Sequence, residues 1–136
     1  NYDCYVRYVC NLPGVSGGSF ALGINSDRGV FRGVERATNW RSRRLQLPYG
    51  DQGLFLSAKV FERTGGFPDM PIMEDFAFVR RLRQHGRVMT CPVSVRTSAR
   101  RWERLGVART AGRNMLMIAG YLLGISPGRL AEYYRK

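Results

Sequence analysis

Three acids stand where the chain passes between irregular and regular backbone. Asp51 sits in the turn Tyr49-Gly50-Asp51-Gln52, and Glu74-Asp75 opens an amphipathic pattern. A carboxylate so placed can take a proton from a substrate hydroxyl, bind hydroxyls, or cap free backbone N–H groups. A helix N-terminus favours the ionised carboxylate by about 0.3–1 kcal/mol. Gln52 adds an amide, which both donates and accepts. The basic side is larger: 22 Lys+Arg against 10 Asp+Glu give a formal charge of +12, almost all of it Arg. Arg forks suit phosphates, including a nucleotide diphosphate, and a basic surface also suits nucleic acid or an anionic membrane. His85, the only histidine, lies at a basic helix end where a solvated role is the commoner one.

The elements that must position these residues follow from pattern. Gly53 to Ser57 is a short apolar run that predicts a covered strand. Ala58 to Arg63 predicts a short helix stopped by Gly65-Gly66, and two prolines keep 67–71 irregular. From Glu74, the residues Phe76, Val79 and Leu82, with Phe78 beside them, make an apolar helix face opposite Arg80, Arg81 and Arg83. Upstream, the pattern of 1–12 fits a strand or a helical turn equally, Pro13 to Gly18 predicts a loop, and Ser19 to Ile24 a strand. Ser26-Asp27 predicts a helix start, with Phe31, Val34 and Ala37 as the apolar stripe of a helix to about Arg44 and Trp40 as a core or interface anchor. Downstream, Arg87 to Val95 predicts a strand that Pro92 places at an edge or bends. Val107 to Gly124 predicts a helix that docks on the core or lies in a membrane interface, its apolar run too short to span a bilayer. Ser126-Pro127 predicts an N-cap and first helical residue.

Four motifs in order, Pro48 to Gln52 (PYGDQ), Gly65 to Pro68 (GGFP), Met73 to Asp75 (MED) and Thr97 to Trp102 (TSARRW), resemble the acceptor-side half of an inverting family 2 glycosyltransferase with a GT-A fold. The resemblance covers roughly Gly17 to the C-terminus and leaves 1–16 unmatched. It implies a nucleotide-sugar donor, an acceptor hydroxyl of unknown identity, and single-displacement transfer. By the family's "ED" motif, Asp75 is the expected catalytic base, with Glu74 orienting it or binding acceptor. Gly50, Asp51 and Gln52 correspond to a substrate-binding turn. Arg101 and Trp102 correspond to the "QxxRW" signature, with Arg101 neutralising the leaving diphosphate and Trp102 packing at the acceptor. Ser98 stands where that signature has Gln, which weakens any claim of processivity.

The family's nucleotide-binding half, with its metal-bearing "DxD" motif, has no counterpart here, and no Gly-rich phosphate loop follows a strand. A divalent metal, Mn or Mg, is expected for a full enzyme, with its ligands outside this chain. The 136 residues suit one domain or a piece of one, and the expectation is a single unit: a partial GT-A, α/β fold with a small mixed sheet, flanking helices and C-terminal helices. Such a piece would leave a sheet edge uncovered and apolar surface exposed, favouring self-association. The odd count of three cysteines without CxxC favours a reducing compartment, and so a cytoplasmic location, peripheral at a membrane if α-helical apolar surface is used that way. Two other readings stay open. One is a basic binding module for an anionic membrane surface or, less favoured for want of a helix-turn-helix pattern, nucleic acid. The other is an inactive remnant with its motif residues idle.

Overall fold

The computed structural model describes all 136 residues, Asn1–Lys136. Seven helices surround two strands: α1 (Tyr2–Cys10), β1 (Val15–Asn25), α2 (Gly29–Leu45), a single 3-10 turn (Gly50–Gln52), α3 (Ala58–Thr64), α4 (Glu74–Arg83), β2 (Arg87–Ser98), α5 (Arg100–Leu105), α6 (Val107–Leu122) and α7 (Pro127–Arg135). The class is α/β. The sheet is smaller and simpler than expected: β1 and β2 pair in parallel, and nothing else joins them as a strand. The run Gly53–Ser57 contributes one antiparallel bridge, Phe55 to Gly18. Gly18 is what allows that approach, since a Cβ there would lie 2.6 Å from the Phe55 ring. The apolar run therefore packs across the sheet as covering chain, and burial alone, without a ladder, produced its strand-like pattern.

Pro92 acts as its chemistry requires. Phe20 pairs with Cys91 and the next residue, Ala21, with Ser94, so Pro92 and Val93 bulge from β2. A residue without an N–H is absorbed there without breaking the ladder. The segment expected as a loop up to Gly18 is already strand from Val15. At the start of α2 the cap position falls to Arg28, without a side-chain cap, so Ser26-Asp27 does not open the helix as expected. Ser57 and Ser126 do cap α3 and α7, accepting from Val60 and Arg129, with Pro127 in the first turn of α7. The undecided N-terminal segment is helical: Val9 is buried against Phe20 and Cys91, with Tyr5 and Val6 beside it.

The free edge of β1 is not open. Its alternate residues, Gly18, Phe20, Leu22 and Ile24, each find partners off the sheet. Gly18 exchanges N–H···O bonds with Phe55. Phe20 C=O accepts from the Gln52 amide at 3.2 Å. Asn39 of α2 accepts from Leu22 N–H at 2.7 Å and donates to Leu22 C=O at 3.1 Å. Glu35 accepts from Ile24 N–H at 2.6 Å, and Arg32 donates to Ile24 C=O at 2.9 Å. One face of α2 thus stands in for a neighbouring strand, with side chains at i, i+4 matching backbone groups two residues apart. This overturns the expectation of an uncovered edge on β1, and it satisfies backbone groups that burial would otherwise make costly.

The interior is divided into four small clusters. Leu22, Ile24, Phe31 and Ala99 join β1, α2 and the start of α5. Phe78, Leu82 and Val88 join α4 to β2. Met73, Phe76, Met117 and Leu130 tie the start of α4 to α6 and α7. Trp40, expected as a core or interface anchor, is 60% exposed and belongs to none of them, so it is not a core anchor. No helix is long and apolar enough to cross a membrane.

Candidate functional site

The start of α4 is set by an unusual residue. Met73 takes a left-handed conformation (φ 67°) although it is not glycine, at a cost of roughly 1–2 kcal/mol. Burial among Phe76, Met117 and Leu130 holds it there. The turn it makes presents Glu74 and Asp75 as the first helical residues. Asp75 Oδ1 accepts from Phe76 N–H at 2.8 Å, and Oδ2 accepts from Gly50 N–H at 2.9 Å. The second bond joins the 3-10 turn to the helix. Gly50 suits the approach: a Cβ built on it would lie 3.4 Å from Asp75 Oδ2.

Around this junction lies an open cleft of about 340 Å³ lined by Tyr49, Asp51, Glu74, Asp75, Arg101, Asn114 and Tyr134, with Ile72, Met73, Phe76 and Met117 as apolar floor. Four residues singled out from sequence, far apart in the chain, meet there: Asp51, Glu74, Asp75 and Arg101. Arg101 reaches the cleft from α5, shortly after β2 ends at Ser98, and open α/β sheets carry ligands at the carboxyl ends of their strands. Glu74 is exposed on the rim and Asp75 half-buried. Arg101 extends from α5 with its guanidinium 4.8 Å from the Tyr134 ring centre. Arg113 lies over the same ring at 5.0 Å and donates to the carbonyls of Tyr133 and Tyr134, fixing the end of α7.

Electrostatically the cleft is a contest. Asp51 is exposed at its surface, and the protein packed against the rest of its carboxyl raises it above the usual range. Arg41 and Arg101 oppose that rise, and the neighbouring Asp75 adds to it. Tyr49 is raised by burial first, with Arg41 lowering it and Asp75 and Asp51 raising it further. The Arg41 guanidinium stacks 3.8 Å from the centre of the Tyr49 ring, a cation–π contact worth about 0.5–2 kcal/mol.

Two expected binding residues lie elsewhere. Gln52 is fully buried. Its Oε1 accepts from Ser42 Oγ at 2.9 Å and Tyr49 N–H at 3.1 Å, and its amide donates to Phe20. With its hydrogen bonds made inside the protein it is a strut that shapes the turn. Trp102 does not line the cleft; it is half-buried against Leu22, Ile24 and Phe31 and forms part of an adjoining apolar groove. Gly50 serves through its backbone N–H. His85 is at the far end of α4, its Nδ1 3.1 Å from Arg81 O. Sequence reading passed over Asn114, whose one signal is a polar residue amid the apolar face of α6. Arg41, within the helix predicted to end at about Arg44, was likewise given no role in a site.

No group of three or more His, Cys, Asp or Glu side chains gathers as a metal site. Asp51, Glu74 and Asp75 line the cleft without gathering as a ligand set for a divalent ion. Comparison with protein-family models, curated proteins and solved structures returns no match for this chain.

Proposed function

We propose that this chain is the acceptor-binding portion of an inverting sugar transferase that uses a nucleotide-sugar donor, with the donor held by elements beyond these residues. The observation that carries the reading is the convergence of Asp51, Glu74, Asp75 and Arg101, from three of the four motifs, on one cleft, in the roles those motifs imply. The acceptor hydroxyl oxygen attacks the anomeric carbon, and the bond from that carbon to the diphosphate oxygen breaks on the opposite face. The electron pair leaves with the diphosphate, and the hydroxyl proton passes to Asp75. Each Asp75 oxygen accepts one backbone N–H and keeps a further lone pair to receive that proton. Those two bonds also fix the carboxylate's orientation, which is what a general base needs. Asp51 and Asn114 offer an acceptor and an amide to neighbouring hydroxyls, and Arg101 offers charge to the departing diphosphate.

The test is transfer and hydrolysis with a panel of nucleotide-sugars and Mn²⁺ or Mg²⁺, on this chain and on any longer product of the same reading frame, each beside Asp75→Asn. Transfer that falls by about 10²–10⁴-fold in Asp75→Asn supports the assignment; transfer unchanged by it refutes it.

A second reading rests on a separate observation. An open depression of about 690 Å³ at the other end of α4 is lined by Arg80, Arg81, Arg83 and Arg87, with Gln46 and Gln84 and no carboxylate. That surface favours an anionic partner. Silence with every donor, together with vesicle binding that weakens steeply as salt rises, would favour it over sugar transfer.

A further inference from the structure

Beside the cleft runs a groove of about 640 Å³ between α2 and α6. Its wall is mainly apolar, with Leu22 and Val34 on one side and Trp102 and Ile118 on the other. Trp40 and Met115 also line it and stand 60% and 70% exposed. The groove and the cleft share three residues: Tyr49, Asp51 and Asn114. An occupant of the groove therefore has one end at the carboxylates.

The seam between them carries an unfinished polar group. Arg41 lines the groove, stacks on Tyr49, and donates from Nε to Leu47 O at 3.1 Å. Its Nη2 is buried and has no hydrogen-bond partner. A buried guanidinium nitrogen without an acceptor is costly; it is screened from the groove as Arg41 stands, and a turn of the guanidinium toward the seam would bring it to an oxygen-bearing head group.

The geometry points to a lipid-like acceptor, a long apolar chain lying in the groove with its hydroxyl-bearing head at the seam and in the cleft. This rests on the sugar-transfer reading and names the class of acceptor. Two features favour a chain-like small molecule over a protein segment. The volume falls in the range of small-molecule sites, roughly 300–1,000 Å³. The groove meets the cleft at Tyr49, Asp51 and Asn114, beside the carboxylates, which a docked helix would have no reason to reach.

The chain's only two tryptophans are Trp40 and Trp102, and both line the groove, so intrinsic fluorescence reports its occupancy. The probes are hexyl, octyl, decyl and dodecyl β-glucosides, each kept below its micelle concentration, titrated into the chain. We expect a saturable change whose affinity rises by about fourfold per methylene until the groove is full. Ala111→Phe fills the groove from an exposed position of α6 and should weaken dodecyl glucoside binding at least tenfold, with circular dichroism unchanged. Ala37→Phe, exposed on α2, repeats the test from the opposite wall should the first variant not fold. Affinity independent of chain length, or equal in the filled variants, overturns the proposal. So does a tryptophan change that follows protein concentration without any glucoside, because a second copy would then occupy the groove. Chain-length-dependent binding without sugar transfer in any form would leave the groove and remove the enzyme. Transfer to simple sugars with no chain-length dependence would do the reverse.

Discussion

Replacing Gln52 by alanine removes a buried side chain that holds together three separate parts of the chain. Its loss leaves Tyr49 N–H and Phe20 C=O without the partners they now have, while Ser42 Oγ keeps its bond to Thr38. Each orphaned backbone group costs about 1–3 kcal/mol, so the variant should lose roughly 2–6 kcal/mol from a total that for most domains is only about 5–15 kcal/mol. With a urea slope of about 2 kcal/mol per molar, the middle of the usual range, the unfolding midpoint should fall by about 1–3 M. Gln52→Met keeps the volume and loses the hydrogen bonds, and should recover little. The assay is urea unfolding followed by far-UV circular dichroism and tryptophan fluorescence on the three proteins. A midpoint within about 0.3 M of the parent in both variants, with ligand binding lost instead, would refute the strut and restore Gln52 as a binding residue.

Asn39→Ala strips both partners from Leu22 and should destabilise by about 2–5 kcal/mol, whereas Asn39→Asp keeps the acceptor and should recover only part; thermal unfolding compares them. Because the Asp51 carboxyl is raised in the folded protein, the folded state holds that proton more tightly than the unfolded one. Its contribution is therefore most favourable below the ordinary carboxylate range and declines as pH rises through the raised value. Asp51→Asn should accordingly gain stability at pH 7 relative to the parent and lose that advantage by about pH 3, measured as urea midpoints across pH. A Cβ at Gly86 would lie 2.9 Å from Gly14 O and 3.0 Å from Ser16 N, both backbone atoms, whereas one at Gly112 in α6 meets nothing within 4 Å. Gly86→Ala should thus destabilise by about 1–3 kcal/mol, and Gly112→Ala should stabilise by up to about 1 kcal/mol, read from melting temperatures.

What could be read from sequence was what depends on near neighbours. The apolar stripe of α4, the serine cap of α7, and the proline-bent β2 all rest on contacts within a few residues or on one residue's own chemistry. The convergence of Asp51, Glu74, Asp75 and Arg101 was expected from the order of motifs rather than from any local pattern. What could not be read depended on partners distant in the chain. Gln52 looks like an exposed turn amide until Phe20 is seen to take its N–H, 32 residues away. Gly53–Ser57 has a strand's composition, yet only Phe55 finds a backbone partner in the sheet. Glu35 and Asn39 look like an ordinary polar helix face, and only the presence of β1 beneath them reveals their pairing.

That pairing ties the solubility of the chain to one helix. An edge satisfied by another strand would stay closed while its neighbours frayed; at Leu22 and Ile24 this one is guarded by three side chains on a single rod, Arg32, Glu35 and Asn39, and they leave together. Local melting of α2 would uncover Leu22 and Ile24 as a ready template for a second molecule, well before the remainder of the fold had opened. Aggregation on heating should then begin at the temperature at which the α2 amides lose protection from hydrogen exchange, and helix-favouring substitutions on the solvent side of α2 should delay it more than equal stabilisation placed in α6 or α7.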